Sequence, residues 1–247
     1  MSDMRLSVQL YTVRDSLAND ISETLNSIRD IGLEYVELAG YSGLSPEKFQ
    51  SQLLAAGLQV SGGHWGLDQL KDVEAVCEQA RLFGLKHIIL PWVGEDSYQG
   101  GWLEFGKELE PLARAYSDRG FTFSYHNHAF EFKAGPGSTY EEMWAGTESV
   151  LQAQLDLGWV AYSSQDPVEW LNRLGSRCPT VHLKDFSGNA DSHDAIAGTG
   201  ILDWNAILRA TQANGTEFGV IEMDRPPGDP VESVKECFDF FHSKGLG

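Results

Sequence analysis

Short apolar runs of this 247-residue chain end repeatedly in side chains that can hold a divalent ion or move a proton. Gln9, Glu37, His64, Trp92, His126 with His128, Asp156, His182 with Lys184, and Glu222 each finish or follow such a run. Imidazole titrates near neutral pH, and imidazole with carboxylate forms a mixed nitrogen and oxygen ligand set. Side chains alternate along a strand, so Thr122, Ser124, His126 and His128 share one face, as do Thr180, His182 and Lys184. Phe121, Phe123, Tyr125, Val181 and Leu183 then take the opposite faces. A polar face turned inward is costly unless a metal, a partner or a substrate compensates it. His126, Asp156, His182 and Glu222 therefore form a candidate site for one divalent ion (Mn, Co, Zn, Fe or Mg). A single strand-end histidine is commonly structural, and a single buried carboxylate is commonly an ion-pair partner. Four together are poorly explained by coincidence.

The elements that must carry these residues follow from a recurring unit: an amphipathic stretch, a glycine, then a few β-type residues. It occurs around Gly32, Gly57, Gly84, Gly120 and Gly215. A helix often ends on a left-handed residue, which glycine adopts without a Cβ penalty, so each unit reads as helix, cap, strand. Strands are expected at 6–11, 34–38, 58–63, 87–91, 121–126, 153–156, 179–184 and 217–222. Helices are expected at 46–56, with Ser45 as cap and Pro46 in the first turn, and at 69–83, with Asp68 as cap. Asp203, in the GTGILDW segment at 198–204, is expected to cap the next helix. Eight alternating units predict a single (β/α)8 TIM barrel spanning 1–247, with an open doubly wound sheet as the alternative. No Gly-x-Gly-x-x-Gly follows the first strand and no Walker-type lysine motif occurs, which lowers the nucleotide-binding form of that alternative. The irregular stretches 93–101, 129–139 and 186–203 all follow strands and would gather on one rim of a barrel.

Acidic residues outnumber basic ones by 36 to 18, for a formal net charge of -18, which opposes contact with nucleic acid or anionic lipid. Cys77, Cys178 and Cys237 are too scattered for a disulfide framework and read as buried small hydrophobes in a reducing compartment. No apolar run is long enough for a membrane span, and the Met-Ser-Asp-Met-Arg start lacks a signal-peptide pattern, so a cytoplasmic location is expected. Trp65, Trp92 and Trp159 are candidates to stack on a sugar face. Trp102 and Tyr140, read as exposed, are candidates for a lid or for the interface of a homo-oligomer.

The motifs SVQLYTVRD, EYVELAGYSG, YHNHAFEF, QLDLGW, VHLKDF, GTGILDW and VIEMD resemble the xylose isomerase-like TIM barrels of the sugar phosphate isomerase/epimerase superfamily over essentially the whole chain. YHNHxFEF with VHLKD resembles one branch of it. The resemblance implies one divalent ion held by Asp156, His182 and Glu222. The fourth ligand departs from the family pattern, because His126 stands where most epimerases have glutamate; Glu131 is the other candidate. Trp159 stands where many relatives place a substrate-binding histidine.

The chemistry expected is removal of a proton beside a carbonyl acidified by the ion, with His128 or Glu222 as base and Lys184 as electrostatic stabiliser or proton donor. Gln9, Glu37, His64, Trp92 and Arg225 are the expected substrate contacts. A keto-sugar or polyol isomerase/epimerase leads; a lyase of the inosose dehydratase kind or one eliminating from a 3-keto-glycoside follows. Losing the paired glutamate weakens epimerisation most. Phosphate on the substrate is not required by any motif, and an abasic-site endonuclease would need a basic groove. Two other classes are a sugar-binding barrel without catalysis and a partner of a dehydrogenase that makes 3-keto-sugars.

Overall fold

A computed structural model describes residues 4–133, 137–189 and 194–247. Residues 1–3 and parts of the stretches 129–139 and 186–203 lie outside the described residues. The strands are β1 Arg5–Gln9, β2 Tyr35–Leu38, β3 Gln59–His64, β4 His87–Leu90, β5 Thr122–His126, β6 Leu151–Asp156, β7 Thr180–Leu183, β8 Asp185–Phe186, β9 Asp194–Ala195 and β10 Phe218–Ile221. Eight of them close a parallel barrel in the order β1-β10-β7-β6-β5-β4-β3-β2, and β8 with β9 form a short antiparallel ribbon on the rim. The closed sheet excludes the doubly wound alternative. No helix among the described residues is long and apolar enough to cross a membrane.

The glycine caps behave as their spacing predicts: Gly32, Gly57, Gly84, Gly120 and Gly215 all have positive φ. Gly32 has a second constraint, since a Cβ there would lie 2.9 Å from the ring of Phe238, where the last helix, Pro230–Ser243, packs. Ser45 caps helix Pro46–Ala55, and the Asp203 carboxylate accepts from Ala206 N at 3.0 Å to start helix Trp204–Asn214. The cap expected at Asp68 is corrected. The stretch splits into Leu67–Leu70 and Val73–Phe83, and Asp72 caps the second piece by accepting from Ala75 N, while Asp68 pairs with Lys71 at the surface. Strand β1 is also shorter than expected, because Gln9 Oε1 accepts from Tyr11 N at 3.1 Å and bends the chain into the 3-10 turn Leu10–Val13.

Trp102 and Tyr140 are 1% and 2% exposed, so neither is available as a lid or interface residue. They start helices Trp102–Ser117 and Tyr140–Gly146, and their rings meet Tyr125 on the outer face of β5. The three cysteines are buried and unbridged.

The barrel interior carries many polar side chains. Ser7, Gln9, Glu37, Ser61, Ser124, His126, Gln154, Asp156, Thr180 and His182 are all buried. Glycine supplies space where the interior is crowded. The β2–β3 register slips between Val36 and Glu37, and a Cβ on Gly62 would stand 3.2 Å from Glu37 Oε2.

Candidate metal centre and active site

Strand register brings the ligand candidates together. Asp156 on β6 is the direct neighbour of His182 on β7, and His182 pairs with Val220 on β10, two residues before Glu222. On the other side His126 on β5 neighbours Gln154, which shares a face with Asp156. One donor atom from each of His126, Asp156, His182 and Glu222 lies within 4.8 Å of the other three, and all four side chains are buried.

Local structure holds each in place. Asn127, the third letter of YHNH, accepts from Asp156 N through Oδ1 at 3.0 Å and ties the end of β5 to the end of β6. Asp156 Oδ1 accepts from Trp159 N at 2.8 Å and caps helix Leu157–Tyr162, which fixes Oδ2 toward the barrel axis. Lys184 passes over Gly158, where a Cβ would meet its Cγ at 2.6 Å. The Lys184 ammonium then reaches Asp224 Oδ2 at 2.6 Å, Glu222 Oε2 at 2.9 Å and Asp156 Oδ2 at 3.1 Å.

A layer below, Glu37 is fully covered. Its Oε1 takes His182 Nε2 at 2.7 Å, Gln9 Nε2 at 2.8 Å and His64 Nε2 at 3.0 Å, and its Oε2 takes Gln154 Nε2 at 2.6 Å. His182 thus lies between two carboxylates, with Nδ1 2.8 Å from Glu222 Oε2.

Charge follows geometry. Burial pushes the Glu37 carboxyl up, but His64 and His182 outweigh it and hold it well below the usual carboxylate range. Glu222 is likewise held low against its burial, by Lys184 and then His182. Burial raises Asp156 to about 7, with Lys184 opposing. Burial would lower His182, yet Glu222 and Glu37 lift it to about 10. Burial depresses His126 well below its ordinary value, with His182 adding to the effect, and lowers His128 to about 4, with Lys184 adding. His128 is therefore neutral at pH 7, and one ring nitrogen keeps an unprotonated lone pair.

The donor set fits a divalent cation. His126 Nδ1 is buried with no hydrogen-bond partner among the described residues. Asp156 Oδ2 has no well-directed hydrogen bond either, although Lys184 stands 3.1 Å away. Four carboxylates, Glu37, Asp156, Glu222 and Asp224, face the Lys184 ammonium and the imidazoles of His182 and His64, and a divalent ion would offset the remaining excess of acidic groups. Two imidazoles with two carboxylates form a four-ligand nitrogen and oxygen set.

The remaining expected residues divide. Glu131 turns away from the cluster, its carboxylate accepting from Tyr125 Oη and His128 N, both at 2.9 Å. Gln9 and Glu37 are spent on protein partners inside the barrel, beneath the ligand cluster rather than at the rim. His64 joins that network through Gln154 Oε1 at 3.0 Å. Trp92 is 58% exposed, and Arg225 is exposed with its backbone N bonded to Asp194. Trp65 is buried and donates to Gln79, which makes it packing; the ring of Trp159 lies 5.2 Å from Lys184 Nζ, beside the cluster. Gln154, Asn127 and Asp224 escaped the sequence reading. Gln154 and Asp224 each sit two residues from a candidate ligand, so strand alternation was the available signal. A cavity of about 320 Å³ lined by Arg5, Tyr35, His87 and Phe218 opens at the opposite, N-terminal end of the barrel.

The sequence pattern of the xylose isomerase-like TIM barrel matches residues 13–244. An inosose dehydratase from Clostridium beijerinckii is 23% identical over 162 residues, covering 58% of this chain and 54% of that protein. The chain spans about half the length of the curated relatives it matches. A sugar phosphate isomerase/epimerase from Parabacteroides distasonis superposes with a TM-score of 0.82 at 20% identity, covering 97% of this chain and 98% of the other. The IOLI protein, crystallised with a zinc atom bound, superposes with a TM-score of 0.69 at 14% identity, over 97% of each chain. At such low identities the two superpositions speak to the shared fold.

Proposed function

The chain belongs to the xylose isomerase-like TIM barrel family, and from that premise we propose that it is a divalent-metal-dependent enzyme that removes a proton beside the carbonyl of a keto-sugar or related polyol. The observation that carries the proposal is the convergence of His126, Asp156, His182 and Glu222 in a buried site, with His126 Nδ1 without a hydrogen-bond partner among the described residues and Asp156 Oδ2 met by the Lys184 ion pair rather than by a well-directed hydrogen bond. A buried polar atom without a partner costs roughly 1–3 kcal/mol, and a ligand that recruits it recovers that cost.

A divalent ion held by these four residues would supply Lewis acidity to a carbonyl oxygen and its neighbouring hydroxyl. The protein's own groups do the rest. His128, neutral and with Nδ1 buried and unpartnered among the described residues, has a lone pair to accept the proton from carbon. Glu222, held anionic by Lys184, is the other base. Lys184 keeps its proton against burial because Asp156, Glu222 and Asp224 surround it, and it can donate to an oxygen on which negative charge develops. Returning the proton to the adjacent carbon gives isomerisation. A second reading is dehydration, in which Lys184 protonates a departing hydroxyl; the similarity to an inosose dehydratase favours it. A net charge of -18 argues for a small neutral carbohydrate rather than a polyanion as substrate.

The test is elemental analysis of the protein purified without added metal, beside the His182→Ala, Glu222→Ala double variant. About one ion per chain is expected in the parent and none in the variant. Keto-sugars and keto-inositols are then screened for solvent deuterium exchange at carbon. No ion in either protein after incubation with Mn, Co or Zn overturns the metal-enzyme reading and leaves a sugar-binding barrel.

A further inference from the structure

His182 belongs to two overlapping ligand sets, one with His126, Asp156 and Glu222 and one with His64 and His126, each with donor atoms within 4.8 Å of one another. A ring nitrogen that carries a proton cannot ligate, and Nδ1 of His182 faces the carboxylates of the first set while Nε2 lies with His64 Nε2 beside Glu37 Oε1, so the tautomer of His182 bears on which set an ion can use. Nδ1 faces Glu222 Oε2 at 2.8 Å and Asp156 Oδ2 at 3.8 Å; Nε2 faces Glu37 Oε1 at 2.7 Å. An ionised carboxylate only accepts, so the nitrogen facing it donates. Glu222 can give up its contact with Nδ1 because it is itself a candidate ligand. Glu37 is held in place, since Gln9 and Gln154, from two further strands, donate to its two oxygens and His64 Nε2 stands 3.0 Å from Oε1. Glu37 Oε1 also stands within 3.0 Å of the Nε2 atoms of both His64 and His182, in the space that an ion bound by those two rings would need.

We infer that Glu37 is a positioning residue that keeps the His182 proton on Nε2, turns the Nδ1 lone pair toward Asp156 and Glu222, and so selects that ligand set over the three-histidine set. The inference rests on the metal-site reading above.

The experiment uses zinc and histidine labelled with ¹⁵N. In the zinc-loaded parent, long-range ¹H–¹⁵N correlation is expected to show His182 protonated on Nε2 and metal-shifted on Nδ1. Glu37→Gln places an amide NH2 against the donors of Gln154 or His182. Its zinc affinity, measured by competition with a chromophoric chelator, is expected to fall roughly 10- to 100-fold with the circular dichroism of the parent retained. Should that variant not fold, Glu37→Asp, which keeps the charge but withdraws it, is expected to bind zinc more weakly than the parent. A parent spectrum with Nε2 as the ligating atom overturns the inference whatever the variants do. So does unchanged zinc affinity in a folded Glu37 variant while the parent binds normally, and that outcome leaves the metal-site reading standing. A parent that binds no zinc overturns both.

Discussion

Glu222 and Asp156 face the same ammonium with opposite protonation tendencies, and the difference lies in their second contacts. Glu222 touches both Lys184 and His182 through one oxygen, so attraction outweighs burial and the carboxylate stays ionised. Asp156 touches Lys184 at a longer distance and is raised. An ionised group beside a proton donor is equipped to accept and return a proton. Replacing Glu222 by Gln is therefore expected to leave circular dichroism unchanged and lower turnover by roughly 100-fold or more, as loss of a general base does. Initial rates of deuterium exchange check this, and a fully active variant would leave His128 as the base. Much of this residue-level picture was legible in the sequence, because His, Asp and Glu at strand ends declare their chemistry. Gln154 was not, since an amide between titratable groups carries no signal of its own until Glu37 and His64 are seen on either side of it. The choice between His126 and Glu131 needed three dimensions as well. The short 3-10 turn Phe130–Phe132 swings the Glu131 carboxylate back to Tyr125, a hydrogen bond that no spacing rule predicts.

At the scale of elements, the rim loop after β7 is organised by one buried carboxylate. Asp185 Oδ2 accepts from Gly198 N at 2.9 Å, Trp204 Nε1 at 2.9 Å and Gly200 N at 3.2 Å, while Oδ1 accepts from Phe186 N at 2.8 Å. The second glycine of GTGILDW is explained by this approach, because a Cβ on Gly200 would stand 2.3 Å from Asp185 Oδ1 and 2.4 Å from the carbonyl of Phe186. Gly200→Ala must push backbone against backbone, so it is expected to cost about 1–3 kcal/mol, the range for overpacked buried sites. Chemical denaturation checks the value, and an unchanged midpoint would show that the loop can give way. Sequence reading placed the Asp203 cap here but not Asp185, which VHLKDF presents as just another acidic residue after a strand. Five of the barrel strands were legible because each follows a glycine cap with a β-rich run. Element ends were less so: β1 stops at Gln9 through a side-chain contact, and the Asp72 cap competes with Asp68 on nearly equal local terms.

At the scale of the whole molecule, closing the barrel places ionisable groups where unfolding must change their protonation, so stability depends on pH. Glu131 is 1% exposed, and its burial raises the carboxyl from the ordinary 4.5 to about 8, with hydrogen bonds from the His128 backbone and Tyr125 opposing. The folded state therefore holds this proton where the unfolded chain has already released it. The contribution is fully present below about pH 4.5 and is lost as pH rises through about 8. In the metal-free chain His182, raised to about 10 by Glu222 and Glu37 against its burial, adds a loss that runs to higher pH. His128, lowered to about 4, acts in the other direction, since its contribution is present above its ordinary 6.5 and lost as pH falls toward 4. Glu131→Gln isolates one of these. The amide is neutral at every pH, its oxygen can accept from His128 N, and its NH2 can donate to Tyr125 Oη, whose own proton is free to turn away. With each tenfold change in proton affinity equivalent to about 1.4 kcal/mol, the variant is expected to remove a decline of a few kcal/mol between pH 5 and 8 while matching the parent near pH 5. Urea denaturation of both proteins at pH 5, 6.5 and 8 measures it. Parallel stability curves for the two proteins across that window would mean that Glu131 is already ionised in the folded chain, held by Tyr125 and the His128 backbone rather than protonated by its burial.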